Sequence, residues 1–386
     1  MRDMKRVKLR ATFLGSLSFN SRIVKMRENE FSVLDFILIG VVILLMITGL
    51  ITLRSVVLGT QNEQRFYRQI FWDIISLGIM FYIIFEKEVR IRLYSKYFYA
   101  ISVILLILVL FIGKTVYGAK RWIDIGFFDL QPSELFKFSI ILMLSTIFEK
   151  HKGSKAFLLS LLVILPAGFI FLEPDLGMTV LILFIWFSLI LASDVPKKYI
   201  VFILIAGIIL APVAFFFILK DYQRARILAL FNPKEHFQYG AYNTIMSQAV
   251  IANGGLFGTG YGLGIGTNMH IVPMQYTDFI FSAFAEQFGL FGSLILISLY
   301  AIIIIAGMIR LGRYKNEFWE FVVIGISAVF AFHVFENIGM NLGLLPVTGI
   351  PLPFLSYGGT STLIFSALIG LLIKARVISR LPRTID

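Results

Sequence analysis

No cysteine occurs anywhere in the chain, which excludes disulfides, thiolate metal sites and thiol nucleophiles together. Charge is scarce as well: Asp, Glu, Lys and Arg supply 15% of the 386 residues, against 58% hydrophobic. A soluble chain with a mean hydropathy of +0.86 would aggregate, so a water-soluble enzyme is excluded and a polytopic, all-α membrane protein remains. The four histidines, His151, His236, His270 and His333, lack metal-ligand spacing, and each is read as incidental. The glycine-rich run NGGLFGTGYGLGIG follows no strand, opens no obvious helix and lacks the lysine of a phosphate-binding loop. It is read as a flexible outer loop, with contact to a pyrophosphate-bearing lipid as the lesser alternative. The net charge of +12 sits in short basic clusters between apolar runs, the distribution of a cytoplasmic membrane face, and gives no reason to expect nucleic acid.

What is present is a series of apolar runs of membrane-spanning length. Ten are expected, near 32–53, 66–85, 97–113, 133–149, 156–172, 175–192, 198–219, 279–309, 317–340 and 359–375, the eighth with room for a turn. Residues 1–30 are basic, with only a short apolar patch, and read as a cytoplasmic tail before a signal anchor. With an even number of spans both termini share a side. That side holds 24 of the 35 basic residues and the opposite side ten, which predicts cytoplasmic termini. The chain then forms a single membrane domain, 1–386, with a large extracytoplasmic loop, 220–278, between the seventh and eighth spans. Connections of that length are more often functional than idle.

The same topology gathers ionisable groups on the outer face: Asp124, Asp129, Glu134, Glu173, Asp175, Asp278, Glu286 and Glu336, with Lys120, Arg121, Lys137, Arg224 and Arg226. Charges at membrane depth are costly, so a mixed cluster points to a polar-substrate cavity. Glu134 and Lys137 are three apart at the start of a span and are expected to pair, as a structural ion pair lining that cavity, with direct catalysis as the lesser alternative. Lys114, Asp129 and Glu235 read as loop charges that meet water. The segment LLPVTGIPLPFLSYGG cannot be regular helix, and irregular backbone at this depth must be buried in protein or line a cavity. Asp278 precedes the eighth span, where it could act as a helix N-cap or as a base.

The strings YGAKRWIDIGFFDLQPSELFK, EPDLG, RARILALFNP, SQAVIANGGLFGTG, TDFIFSAFAEQFGLFG and HVFENIGMNLGLLPVTGIPLPFLSYGGTS together resemble the SEDS family of bacterial membrane proteins, which includes RodA, FtsW and SpoVE. The resemblance covers nearly the whole chain and is closer to the RodA branch. It implies a ten-helix glycosyltransferase that polymerises lipid II into peptidoglycan strands on the outer face of the cytoplasmic membrane. It places the family's essential aspartate at Asp278 and its tryptophan at Trp122, after Lys120 and Arg121. Its helix-start pair falls at Glu134 and Lys137, and its EPDLG acids at Glu173 and Asp175. Three positions depart from the family's pattern: Tyr276 replaces a histidine, Gln287 an acid, and Glu336 an apolar residue.

Glycan polymerisation requires a carboxylate to take a proton from the acceptor hydroxyl and cations to meet the departing polyprenyl diphosphate. Asp278 is the expected base. Lys120, Arg121, Trp122, Arg224, Arg226, Glu173 and Asp175 are the expected substrate-binding residues, with Arg suited to bidentate phosphate contact. A divalent cation could share that work; no cofactor is otherwise implied. The chain has no SxxK motif, so cross-linking needs a partner, and the resemblance implies a class B penicillin-binding protein. Two other readings stay open, a precursor flippase or transporter and a non-catalytic scaffold.

Overall fold

The computed structural model describes residues 31–116, 119–126, 128–237 and 241–380, so the expected basic tail lies outside the described residues. Its helices overlay the expected apolar runs: α1 (Val33–Val57), α2 (Gln64–Phe85), α3 (Glu88–Ile112), α4 (Pro132–Lys150), α5 (Gly153–Leu172), α6 (Leu176–Ala192) and α7 (Lys197–Ile218). After the long connection, which carries α8 (Asp221–Phe231) and α9 (Ala241–Asn253), come α10 (Ile280–Met308), α11 (Glu317–Asn341) and α12 (Gly359–Ile378). Among the described residues eight helices are long and apolar enough to cross a membrane; α4 and α6 are not among those eight. Isoleucine, leucine and phenylalanine side chains cover the outer surfaces, as lipid contact requires.

The helices differ in how far they are enclosed. No residue of α7 is buried, whereas α11 and α12 are buried along most of their length. Helix α12 packs against α2, and α11 against α4, α6 and α10. A carboxylate of α1, Asp35, pairs with Arg376 of α12 at 2.7 Å and tethers the first helix to the last.

Two stretches carry structure that the apolar pattern did not reveal. Residues 114–130, expected as plain loop, form a small antiparallel sheet of β1 (Lys114–Val116), β2 (Ala119–Asp124) and β3 (Asp129–Leu130). Within the 220–278 segment α8 and α9 are short and partly polar, so a search for long apolar runs passes over them. The glycine-rich run is a packed segment, which corrects the expectation of a flexible loop. Helix α10 breaks at Gly289, with φ 66°, ψ −164°. At the break the chain bonds to the glycine-rich run instead: Thr259 N donates to Glu286 O at 2.9 Å, Leu290 N to Gly255 O at 3.0 Å and Phe291 N to Leu256 O at 3.1 Å. A Cβ at 289 would lie 2.3 Å from Gly258 N, so only glycine permits the approach. The Glu286 carboxylate is buried beneath the same run and accepts from Gly266 N and Thr267 N, both at 2.8 Å, and from Asn253 Nδ2 at 2.9 Å. The backbone cradle that resembled a phosphate loop therefore holds the chain's own carboxylate.

Candidate active site

Asp278 lies at the end of the 220–278 segment, two residues before α10. Helix α10 has Phe279 at its cap position and no capping side chain, so Asp278 does not serve as the N-cap. Its main chain is fixed from α11, where His333, Asn337 and Asn341 recur every four residues and so share one helix face. Asn337 Nδ2 donates to Asp278 O at 2.9 Å and to Ile350 O at 2.8 Å, Asn341 Nδ2 to Asp278 O at 3.1 Å, and His333 Nδ1 bonds Pro351 O at 2.9 Å. The same helix face thus binds both Asp278 and the irregular segment after α11. Ser356 Oγ donates to Thr277 O at 2.7 Å and Tyr357 N to Tyr276 O at 2.9 Å, so that segment also binds the Asp278 strand directly. Gly349, at φ 80°, lies over the acid, with space for a Cβ 3.4 Å from Asp278 Oδ2.

The carboxylate is partly buried. Burial pushes its pKa up to about 6, with Arg226 and Arg121 pulling it down and Asp175 reinforcing the rise. Arg226, on α8, donates Nη1 to Val347 O at 3.1 Å. Burial pulls its own pKa below the usual guanidinium value, and Asp278 opposes that fall. Arg121, on β2, donates Nε to Glu173 O at 3.2 Å and also reaches Pro174 O. Its Nη1 lies 3.6 Å from Asp175 Oδ2. Asp175 in turn caps α6, accepting from Met178 N at 3.1 Å. A groove lined by Arg121, Pro174, Tyr222, Arg226, Val347 and Thr348 runs past these groups, and a second, lined by Ala229, Thr244, Gln248 and Gly343, shares Arg226 and Val347 with it.

Two acids border the site with open bonding capacity. Neither oxygen of Glu173 meets a hydrogen-bond partner, and burial, reinforced by Asp175, raises its pKa to about 9. Glu336 accepts from Thr348 Oγ1 through one oxygen and leaves the other without a partner. Among the described residues no three His, Asp or Glu side chains are grouped as a metal site.

The remaining expected site residues fall into three places. Glu134 and Lys137 lie deeper, 2.7 Å apart and fully buried; Lys137 Nζ also lies 3.1 Å from His333 Nε2 and over the Phe365 ring, and neither residue lines the two grooves. Arg224 sits two residues from Arg226 on α8, hence on the other side of that helix. It pairs with Asp221 at 3.4 Å and donates to Leu219 O. Lys120 is exposed and Trp122 half-buried on β2, beside Arg121 but outside both grooves. Lys114 meets Asp124 at 3.7 Å and Asp129 at 3.6 Å on the surface.

One sequence reading is overturned here. His333 is not incidental: it is fully buried and bridges Lys137 to Pro351. The i, i+4, i+8 polar stripe His333, Asn337, Asn341 inside an apolar helix was the available signal, because a buried polar side chain needs a partner.

Fold and site define a polytopic membrane protein with a partly buried carboxylate, Asp278, whose charge is influenced by two arginines that line one groove. The FtsW/RodA/SpoVE family model, described as a cell cycle protein family, matches residues 30–381, and the chain belongs to that family. It is 32% identical to the peptidoglycan glycosyltransferase MrdB of Escherichia coli K12 over 309 residues, covering 78% of this chain and 83% of MrdB. Its fold is similar to a chain from a peptidoglycan synthase complex that coordinates polymerization and crosslinking, with a TM-score of 0.76, 27% identity and coverage of 91% and 99% of the two chains. A variant of the Rod shape determining protein RodA of Thermus thermophilus aligns with a TM-score of 0.67 at 25% identity, over 91% of this chain and 100% of that one.

Proposed function

We propose that the protein is a peptidoglycan glycosyltransferase that joins lipid II units into glycan strands and releases polyprenyl diphosphate, with Asp278 as general base. Asp278 takes the proton from the acceptor sugar hydroxyl as that oxygen attacks the anomeric carbon of the donor. The carbon's bond to the diphosphate breaks, and Arg226 and Arg121 meet the charge that develops on the leaving oxygen. The observation that carries this reading is one carboxylate, poised near neutral pH by burial, with its main chain fixed by two asparagines and two arginines acting on its charge. A base is most effective when its pKa lies near the working pH. Family membership and the MrdB likeness support the substrate class.

The site lies, in this proposal, on the outer face of the cytoplasmic membrane, with both termini cytoplasmic, and a class B penicillin-binding protein supplies cross-linking. Purified protein given lipid II, with its transpeptidase partner where needed, is expected to yield long glycan strands; lipid II left unpolymerised in that assay would overturn the reading. The orientation has its own test. The buried Gly266 is a poor labelling site, since a Cβ there would lie 2.3 Å from Val250. Leu263 is 69% exposed in the same run, and Leu263→Cys should react with an impermeant maleimide from outside while Ser154→Cys does not.

A further inference from the structure

Several cations of the outer face sit beside acids: Lys114 beside Asp124 and Asp129, Arg121 beside Asp175, Arg224 beside Asp221. Arg65, in the first turn of α2, is held differently. Its Nε donates to Asn62 Oδ1 at 2.9 Å. Its Cζ lies 4.5 Å from the centre of the Tyr276 ring and 5.2 Å from that of Tyr357. Among the described residues neither Nη1 nor Nη2 meets an acceptor, and Glu63, the one acid between 54 and 72, does not pair with it. The guanidinium is thus immobilised by rings and by its inner nitrogen, and its outer fork stays open. That fork matches the bidentate geometry of a phosphate.

The position is equally specific. Tyr276 stands two residues before Asp278, and its carbonyl is bonded to Tyr357 N. Arg226 reaches the irregular segment at Val347, Arg65 at its other end. Strand formation brings two lipid-linked diphosphates to one base. The donor's diphosphate is bonded to the carbon under attack and must lie beside the groups that act on Asp278, which are Arg226 and Arg121. The acceptor's diphosphate stays attached and lies a disaccharide away from the attacking hydroxyl. We propose that Arg65, held by Tyr276, Tyr357 and Asn62, binds the diphosphate of the acceptor lipid-linked saccharide. This rests on the polymerase reading above.

The test is the initial polymerisation rate against lipid II concentration for the parent, Arg65→Gln, Arg65→Lys and Arg68→Gln, in detergent free of anionic phospholipid and again in phosphatidylglycerol vesicles. Arg65→Gln is expected to raise the half-saturating lipid II concentration about tenfold or more in both media, with the limiting rate within about threefold of the parent. Arg65→Lys keeps the charge but not the fork, and is expected to recover only part of the loss. Arg68→Gln should match the parent. If Arg65→Gln fails to fold, Arg65→Lys carries the test alone. Unchanged half-saturation in a folded Arg65 variant overturns the proposal, as does a penalty confined to the anionic vesicles, which would assign Arg65 to phospholipid headgroups. An inactive parent would count against the polymerase reading instead, so the two failures are distinguishable.

Discussion

Two buried groups of charges lie on either side of the His333 face of α11, and they are built on opposite principles. In the deeper one, Lys137 has a carboxylate at 2.7 Å, an imidazole nitrogen at 3.1 Å and an aromatic face, so its charge is met within the protein. In the outer one, Glu173 has no partner for either oxygen, Glu336 has one oxygen unused, and Asp278 is influenced by arginines that line open grooves. A network whose charges are met internally holds a fold together; one with surplus capacity beside a groove is suited to a ligand. Between them lie His333, Asn337 and Asn341, which bind the carbonyls of Pro351, Ile350 and Asp278.

Substitutions in the two groups should therefore separate rate from stability. The largest effect is expected at Asp278→Asn: polymerisation falls by roughly a hundred- to ten-thousand-fold while the melting temperature stays near the parent's, since the side chain caps no helix. Strand formation from lipid II and a thermal melt on the same sample check it. In the deeper group the pattern reverses. Glu134→Ala or Lys137→Met should cost about 3–5 kcal/mol of stability by stranding the other charge, and exchanging the two residues should recover part of it. Equal melting temperatures for Glu134→Ala and the parent would show that the pair does not support the fold.

A smaller, pH-dependent effect is expected at Glu173. Its folded pKa, near 9, is raised above the unfolded carboxyl value, so folding takes up a proton and stability falls as pH rises towards 9. Glu173→Gln cannot ionise. It should melt like the parent at pH 4 and progressively above it as pH rises, by on the order of a few kcal/mol at pH 8. A melting difference independent of pH would contradict the neutral-acid assignment.

How much of this could be read from residues alone depended on period and length. The apolar runs fixed the helices because a membrane span needs about 20 apolar residues, a signal few other structures imitate. Pro- and Gly-dense LLPVTGIPLPFLSYGG was legible as irregular backbone for equally local reasons. Strands β1 to β3 are too short to show alternation, and α8 and α9 lack an apolar run, so all five were hidden. Within the site, Asp278 was visible through its motif, whereas the separation of Arg226 from Arg224 needs the helical phase of α8, and the role of His333 needs a contact 196 positions away in sequence. The glycine-rich run misled because its backbone serves Glu286, a residue outside it.

The central claim, that Asp278 works as a base tuned by its surroundings, is tested most directly by the pH dependence of polymerisation in the parent and in Arg226→Gln. If Asp278 is the base, its ionised carboxylate is the active form, and with a pKa near 6 the parent's kcat/KM should be level above pH 7 and fall about tenfold per unit well below pH 6. Arg226 pulls that pKa down, so its removal should move the acid limb to higher pH, beyond any uniform loss of rate. An acid limb that stays in place without Arg226, or a parent rate indifferent to pH between 5 and 8, would contradict the account.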